Sequence, residues 1–165
     1  MQIRRLTSDD AVVYRALRLR GLREHPEAFT SSWEDDERKP LAASHARLQD
    51  PATTFWGAFD GDALVGIVGL ERLRRPKERH KAWVVGMYVP VEDAGRGIGA
   101  ALLQALCAAA RDEGLRDLLL SVTDGNAGAL ALYRKAGFAV VGREPRAVLV
   151  DGRFLDKLQM HRALD

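Results

Sequence analysis

A glycine-rich turn between an apolar strand and an apolar helix constrains this chain more than any other segment. The turn, Gly95-Arg96-Gly97-Ile98-Gly99, holds three glycines in five residues and runs into apolar positions at helical spacing. Glycines let a ligand approach the backbone closely, and the N–H groups of a helix's first turn have no partners within the helix. Because the helix dipole also favours negative charge there, the segment predicts an anion-binding turn suited to a pyrophosphate.

Composition restricts the class of protein. The chain has 165 residues, 47% hydrophobic and 29% charged, which is typical of one soluble domain, here residues 1–165. With 25 basic and 23 acidic residues, its charge gives no reason to expect a nucleic-acid partner. No apolar run could cross a membrane and no signal peptide is recognisable, so we expect a cytoplasmic protein without a membrane partner. The single cysteine, Cys107, falls at an apolar helical position and predicts neither a disulfide nor a metal site.

Local signals in the first half of the chain predict two helices and the first strands of a sheet. Residues 2–6 are expected to form a strand, and a helix that ends before Pro26 should follow it. That helix carries the apolar residues Val12, Val13, Leu17, Leu19 and Leu22. Pro40 is placed to open a second helix, and Asp60-Gly61 predicts a hairpin between strands 53–59 and 63–73.

The second half of the chain predicts a strand–helix–strand crossover and a closing hairpin. Residues 81–89 and 115–122 are expected to be strands on either side of a helix that begins near Ile98 and stops at Gly114. A short helix should follow, capped by Asn126, and the last two strands should turn at Asp151-Gly152. Together the elements predict an α/β fold with a mixed, mostly antiparallel sheet of six to seven strands and about four helices.

The glycine turn resembles the cofactor motif of the GNAT superfamily of N-acetyltransferases. That motif is Gln or Arg, two residues, Gly, one residue, then Gly or Ala, and residues 94–99 fill it except that Ala94 stands at the first position. A second family pattern, Asn-x-x-Ala-x-x-Leu-Tyr-x-x-x-Gly-Phe, is matched by Asn126, Ala129, Leu132, Tyr133, Gly137 and Phe138. The resemblance covers essentially the whole chain and implies the GNAT fold, with a splayed pair of parallel strands.

The resemblance implies acetyl-CoA as the co-substrate and requires no metal. The pyrophosphate would bind the amides of the glycine turn, the pantetheine arm would lie between the splayed strands, and Asn126 would contact the arm from the facing side. The cofactor-binding residues that the resemblance implies are Met87, Tyr88, Val89, Gly95, Arg96, Gly97, Ile98, Gly99, Ala100, Asn126 and Tyr133.

Acetyl transfer to an amine needs a proton acceptor for the amine and a proton donor for the departing thiolate. Tyr133 is the candidate acid, with simple packing beside the cofactor as the alternative role. The glutamate base of some family members falls on Trp83 here, and an indole cannot accept a proton. His80 and Glu71 are the remaining side-chain candidates for the base, and either could act through a water molecule, as could main-chain carbonyls with an amine of modest pKa.

The acceptor is expected to be a small-molecule or peptide amine. In the superfamily the acceptor cleft is lined by the segment that here contains Glu24, Phe29, Ser31, Ser32 and Glu34. Carboxylates in that segment would suit a cationic amine, although the acidic run 34–37 is equally consistent with a solvated helix face. The apolar residues of the last two strands would permit a homodimer.

Two other functions remain open at the level of sequence. Gly95-x-Gly97-x-x-Ala100 also satisfies a dinucleotide-binding pattern, but about ninety residues precede it, whereas that fingerprint should follow the first strand. A non-catalytic module that binds acyl-CoA is favoured by Ala94 and Trp83, which depart from the family's polar residue and glutamate.

Overall fold

The computed structural model describes all 165 residues and contains one seven-stranded sheet. The strands are β1 (Gln2–Arg5), β2 (Thr53–Asp60), β3 (Ala63–Arg72), β4 (Lys81–Tyr88), β5 (Asp117–Thr123), β6 (Ala139–Val150) and β7 (Arg153–Ala163). Their order in the sheet is β1-β2-β3-β4-β5-β7-β6, and every neighbouring pair is antiparallel except β4 and β5. The predicted fold class is therefore confirmed.

Five α-helices cover the two faces of the sheet. They are α1 (Ala11–Glu24), α2 (Trp33–Glu37), α3 (Leu41–Gln49), α4 (Ile98–Asp112) and α5 (Ala127–Lys135). Side chains alternate between faces along a strand, so Trp56 packs with α4 and α5 in a large apolar cluster, while its neighbour Phe55 packs with α1 in a smaller one. None of the helices combines the length and apolar composition that a membrane-spanning helix requires.

The local signals for turns and helix ends act where the sequence predicted them. Gly97 precedes α4 with a φ of +75°, and Gly114 follows it with a φ of +84°. Asn126 caps α5, since its side-chain oxygen accepts a hydrogen bond of 3.2 Å from the amide of Ala129. The last hairpin turns at residues 151 and 152 as expected.

Helix α1 buries only some of the aliphatic residues that the sequence predicted for it, since Leu17 and Leu22 are buried while the two valines are not. Val12 and Val13 are 64% and 38% exposed, whereas Tyr14 is 1% exposed. The acidic residues 34–37 do not form a fully solvated helix face, because Asp36 is buried. Its carboxylate accepts a 2.7 Å hydrogen bond from Arg18, so the tertiary contact with α1 turns this residue inward.

The parallel strands β4 and β5 separate soon after they begin. They pair at only three positions, which join residues 81–83 to residues 117–119. Further along, β4 has one more residue than β3 between the pairs Gly69–Val85 and Ile67–Tyr88. Gly86 lies in this bulge with a φ of +63°, which favours glycine. A cleft therefore opens between the carboxyl ends of the two strands, next to the start of α4.

The same topology does not fit the dinucleotide-binding alternative. That fold needs an open parallel sheet whose glycine motif follows the first strand. Here the glycine turn follows the fourth strand, and a single pair of strands is parallel.

Candidate functional site

Backbone amides without protein partners line the glycine turn. None of the six consecutive N–H groups from Gly95 to Ala100 donates a hydrogen bond to another group of the protein, and the first intrahelical donor is Ala101, whose N–H bonds to the carbonyl of Gly97 at 3.0 Å. An added Cβ on Gly95 or Gly97 would meet no atom within 4 Å, so the turn is open to solvent. The six amides can therefore surround an anion at the positive end of α4.

Side chains in the turn hold it in place and leave the backbone as the available donor. Arg96 donates 2.7 Å and 2.9 Å hydrogen bonds to Asp93 and Asp60, so two carboxylates already engage its guanidinium. Ile98 is buried in the core cluster. Gly99 faces α5 closely, because an added Cβ would lie 3.0 Å from the Leu132 side chain.

A cleft of ≈ 820 Å³ begins at Ala94, directly before the glycine turn, and continues between the carboxyl ends of β4 and β5. Met87, Tyr88 and Val89 line it on the β4 side, and Asn126 lines it from the start of α5. Beyond Trp83, β4 has no ladder pairing with β5. The structure thus brings these four predicted cofactor-binding residues to one channel, next to main-chain groups that lack a neighbouring strand.

The side chain of Tyr88 connects this channel to helix α1 through a hydrogen bond. Its hydroxyl donates a 2.7 Å hydrogen bond to Glu24, and Arg20 donates one of 2.8 Å to the same carboxylate. Arg20 also forms two hydrogen bonds with Glu92, at the entry to the glycine turn. Burial and the Glu24 carboxylate raise the pKa of Tyr88, while hydrogen bonds from Arg20 and Tyr88 lower the pKa of Glu24.

A second cavity, of ≈ 370 Å³, lies beside the same strands and is lined by residues from both faces of the sheet. Tyr133 belongs to the apolar cluster on the α4 face, yet it lines this cavity together with Arg18 of α1 and Arg47 of α3. Since α1 packs on the opposite face, Tyr133 reaches the cavity where β4 and β5 have separated.

Tyr133 is positioned as a neutral phenol. It is 8% exposed and packs edge-on against Phe138, with ring centroids 6.1 Å apart. Burial raises the pKa of Tyr133 to about 12. A phenol in this state keeps its proton at neutral pH and can donate it.

The two candidate bases lie in different places. Glu71 lines the cavity with Tyr133, and it is the direct cross-strand partner of Trp83. The structure does not bring His80 to this cavity. His80 lies just before β4, at the end of the strand pair away from the glycine turn, with its ring 3.9 Å from Asp117.

The residues expected at the acceptor cleft are also divided. Phe29 and Ser31 line the cavity with Tyr133. Glu24 is engaged by Tyr88 and Arg20, and Ser32 caps α2 by accepting a hydrogen bond from Asp35. Glu34 lines a separate groove.

Sequence reasoning missed the three cations of the cavity, Arg18, Arg47 and Lys157. They come from α1, α3 and β7 and are 29 and 110 positions apart along the chain, so no local motif connects them. Their presence adds three basic side chains to this cavity, which has one acidic lining residue, Glu71.

Possible metal-binding and nucleophilic side chains do not assemble. No three His, Cys, Asp or Glu side chains cluster in a way that could hold a metal ion. Cys107 is buried, and burial raises the pKa of its thiol. It therefore packs as a small apolar side chain, as its helical position predicted.

Comparison with known proteins identifies relatives along most of the chain. The model of the acetyltransferase (GNAT) family matches residues 19–138. N-alpha-acetyltransferase RimI of Mycobacterium tuberculosis is 38% identical over 118 residues, which cover 71% of this chain and 72% of that protein.

Two further comparisons agree with this family. An L-methionine sulfoximine/L-methionine sulfone acetyltransferase of Pseudomonas aeruginosa is 37% identical over 92 residues, 55% of this chain, and the match spans about half (54%) of that relative's length. In structure, yncA of Salmonella typhimurium, solved with its cofactor acetyl-CoA, superimposes with a TM-score of 0.81 at 21% identity, covering 99% of this chain and 94% of that chain. The last comparison bears on the fold alone.

Proposed function

The chain belongs to the GNAT acetyltransferase family, and from this premise we propose that it transfers the acetyl group of acetyl-CoA to a primary amine, with both substrates bound at once. One observation carries the proposal. Six consecutive unpartnered amides, from Gly95 to Ala100, directly follow Ala94, which lines a cleft between parallel strands that separate after three residue pairs.

The shape and chemistry of this site fit the donor. The amides of the turn would hold the pyrophosphate, and the unpaired edge of β4 at Met87 to Val89 would hold the pantetheine arm. Asn126 would meet the arm from the α5 side, with its oxygen already used in the helix cap. Ala94 cannot add a polar contact at the first motif position, so the backbone must supply the affinity.

Bound acetyl-CoA supplies an activated thioester, and the remaining chemistry is proton transfer. The phenol of Tyr133 would donate its proton to the sulfur as the C–S bond breaks, because its raised pKa keeps it protonated. A thiol has an ordinary pKa of about 8.5, below that of a phenol, so Tyr133 would share its proton in the transition state and then recover it from solvent.

Glu71 would accept the proton that the attacking amine loses, through a water molecule in the cavity. It lines the cavity with Tyr133 and lies across from Trp83, the position at which the resemblance places the glutamate base of some family members. A carboxylate at the neighbouring strand position can replace that base through one water.

The names of the relatives do not agree on one kind of acceptor. One is named for amino-acid analogues and another as an N-alpha-acetyltransferase. Both names imply an amine as the nucleophile, and we propose an amine nucleophile for this protein as well.

Calorimetric titration with acetyl-CoA, and with NAD in parallel, tests the donor site. We expect micromolar binding of acetyl-CoA and none of NAD. An amine screen read by free thiol release then tests transfer. Binding without thiol release from any amine would make the protein a non-catalytic acyl-CoA-binding module, and absence of acetyl-CoA binding would overturn the proposal.

A further inference from the structure

A pair of arginines marks the wall of the acceptor-side cavity opposite the cofactor channel. Arg18 and Arg47 both line this cavity, and both also line the adjoining pocket that contains Tyr14. Arg47 lies over the Phe55 ring, with its guanidinium carbon 5.1 Å from the ring centroid. The stacking fixes the guanidinium plane and leaves its edge available for hydrogen bonds.

Two buried polar atoms at this wall have no hydrogen-bond partner. They are Nε of Arg47 and the hydroxyl oxygen of Tyr14. The two side chains are neighbours, since Arg47 acts to lower the pKa of Tyr14 against the larger effect of burial, which raises it. Native proteins seldom retain buried polar atoms without a partner, and both residues line the pocket that adjoins the cavity, so one acceptor group could serve the two side chains.

Charge at the wall points to an anion as that acceptor. Asp36 is engaged by Arg18 at 2.7 Å and by Lys39 at 3.2 Å, so its charge is already balanced. Lys157 donates to the hydroxyl of Thr30. Glu71 is the one carboxylate that lines the cavity, and neither it nor Arg47 takes part in an ion pair.

We propose that the acceptor is a small amine that carries a carboxylate, an α-amino acid or a close analogue, and that Arg47 binds this carboxylate with help from Tyr14 and Arg18. A planar carboxylate matches the fork of a guanidinium and could accept from the Tyr14 hydroxyl as well. The amine would then lie toward Tyr133 and Glu71, which line the same cavity. A polyamine or an internal lysine has no carboxylate beside its amine. This inference rests on the proposed acetyl transfer.

Matched acceptors test the role of the carboxylate. Each of several apolar L-α-amino acids is compared with its carboxamide and with the decarboxylated amine, at saturating acetyl-CoA. We expect kcat/KM to be at least about tenfold higher for the acids, as for loss of one charge-assisted interaction. Equal rates for acids and amides would overturn the inference while leaving acetyl transfer intact.

Variants locate the binding group. Arg47→Gln should raise KM for the acid at least about tenfold and leave KM for acetyl-CoA and the rates with the amides unchanged. Tyr14→Phe, which keeps the ring packing, should shift the same KM in the same direction. Arg38→Gln is the matched control, because Arg38 is exposed in the turn after α2 and its side chain makes no hydrogen bond or ion pair. A variant Arg47→Gln that retained its preference for acids would overturn the assignment.

A binding measurement separates this inference from the proposed function. N-acetyl-L-amino acids are titrated calorimetrically into the CoA-bound protein, which requires no turnover. Binding that is lost in the N-acetylated carboxamides and in Arg47→Gln supports the carboxylate site even if acetyl transfer is not detected. Absence of binding by the acid product, together with measurable turnover of uncharged amines, would overturn the site and preserve the proposed function.

Discussion

The hydroxyl of Tyr88 donates a 2.7 Å hydrogen bond to Glu24, which joins strand β4 to the last turn of helix α1. The two residues are 64 positions apart, and the bond closes the wall between the cofactor channel and α1. Tyr88 thus contributes its main chain to the channel and its side chain to the packing of a helix beside the acceptor cavity.

Tyr88→Phe should lower the free energy of unfolding by about 1 kcal/mol, because it removes this bond and keeps the ring. The lowered pKa of Glu24 means that its ionised form stabilises the fold at pH values above its ordinary pKa of about 4.3, and that this contribution is lost as the pH falls through the lowered value. Urea unfolding of the protein and the variant, followed from pH 7 into the acid range, measures both. A stability difference that does not decrease at any acid pH at which the protein is folded would contradict the role of the carboxylate.

Gly21→Ala should destabilise the protein even though alanine is the better helix former. A Cβ at Gly21 would lie 2.9 Å from the Tyr88 ring. Overpacking of this kind costs about 1–3 kcal/mol, which exceeds the gain of up to about 1 kcal/mol in helix propensity. Thermal unfolding should show a lower Tm for Gly21→Ala. Gly128→Ala in α5, where a Cβ meets no atom within 4 Å, is the control and should raise Tm.

Gly97→Ala should weaken acetyl-CoA binding about tenfold. The φ of +75° is strained for alanine by about 1–2 kcal/mol, and relief of that strain would move the amides of the turn. Gly114→Ala imposes the same strain at the opposite end of α4, with a φ of +84°. Titration calorimetry should find a lower affinity for acetyl-CoA in Gly97→Ala alone. The free energy of unfolding should fall by a similar amount in both variants. Equal affinities would show that the turn does not bind the cofactor.

Tyr133→Phe should reduce kcat at least about tenfold, a barrier increase near 1.4 kcal/mol, with little change in KM for acetyl-CoA. The ring contact with Phe138 is retained, so the readout isolates the hydroxyl. Unchanged turnover in Tyr133→Phe would leave this residue with a packing role.

All three tyrosines of the chain have raised pKa values, so the native protein should show almost no tyrosinate at pH 10. Burial is the main cause for Tyr14 and for Tyr133, whose pKa is about 12. In the unfolded chain the tyrosines lose their protons near the ordinary tyrosine pKa of about 10. The free energy of unfolding should therefore decrease as the pH rises from about 10 to 12. Absorbance at 295 nm in native buffer and in denaturant measures the difference. Coincident titration curves would contradict the burial of these phenols.

The local elements could be predicted because their signals act within a few residues. Gly97 and Gly114 delimit α4, Asn126 caps α5, and the turn at residues 151 and 152 closes the last hairpin, each through backbone conformations that these residue types favour. The anion-binding turn belongs to the same group, since a glycine-rich segment before a helix exposes its amides whatever packs elsewhere.

The cavity beside Tyr133 could be predicted only in part, because the sequence named Phe29, Ser31 and Glu71 among its lining residues but none of its cations. His80 is near Trp83 in sequence, yet Glu71 is the residue that shares the cavity with Tyr133, because strand register places it across from Trp83. Arg18 and Arg47 belong to different helices, and they meet only because α1 and α3 pack on one face of the sheet. The burial of Asp36 likewise depends on a partner from another element.

The sequence by itself determined the order of the main elements, the turns and caps at several of their ends, the exposed amides of the glycine turn and the family, because backbone propensities, caps and motif spacing are properties of neighbouring residues. The resemblance implied that β4 and β5 separate, but only the tertiary structure decided that Tyr133 reaches through their gap and that the cavity beyond it is lined by arginines. Those outcomes depend on sheet register and on contacts between residues far apart in the chain, whose free energies depend on how the whole sheet and its helices pack together.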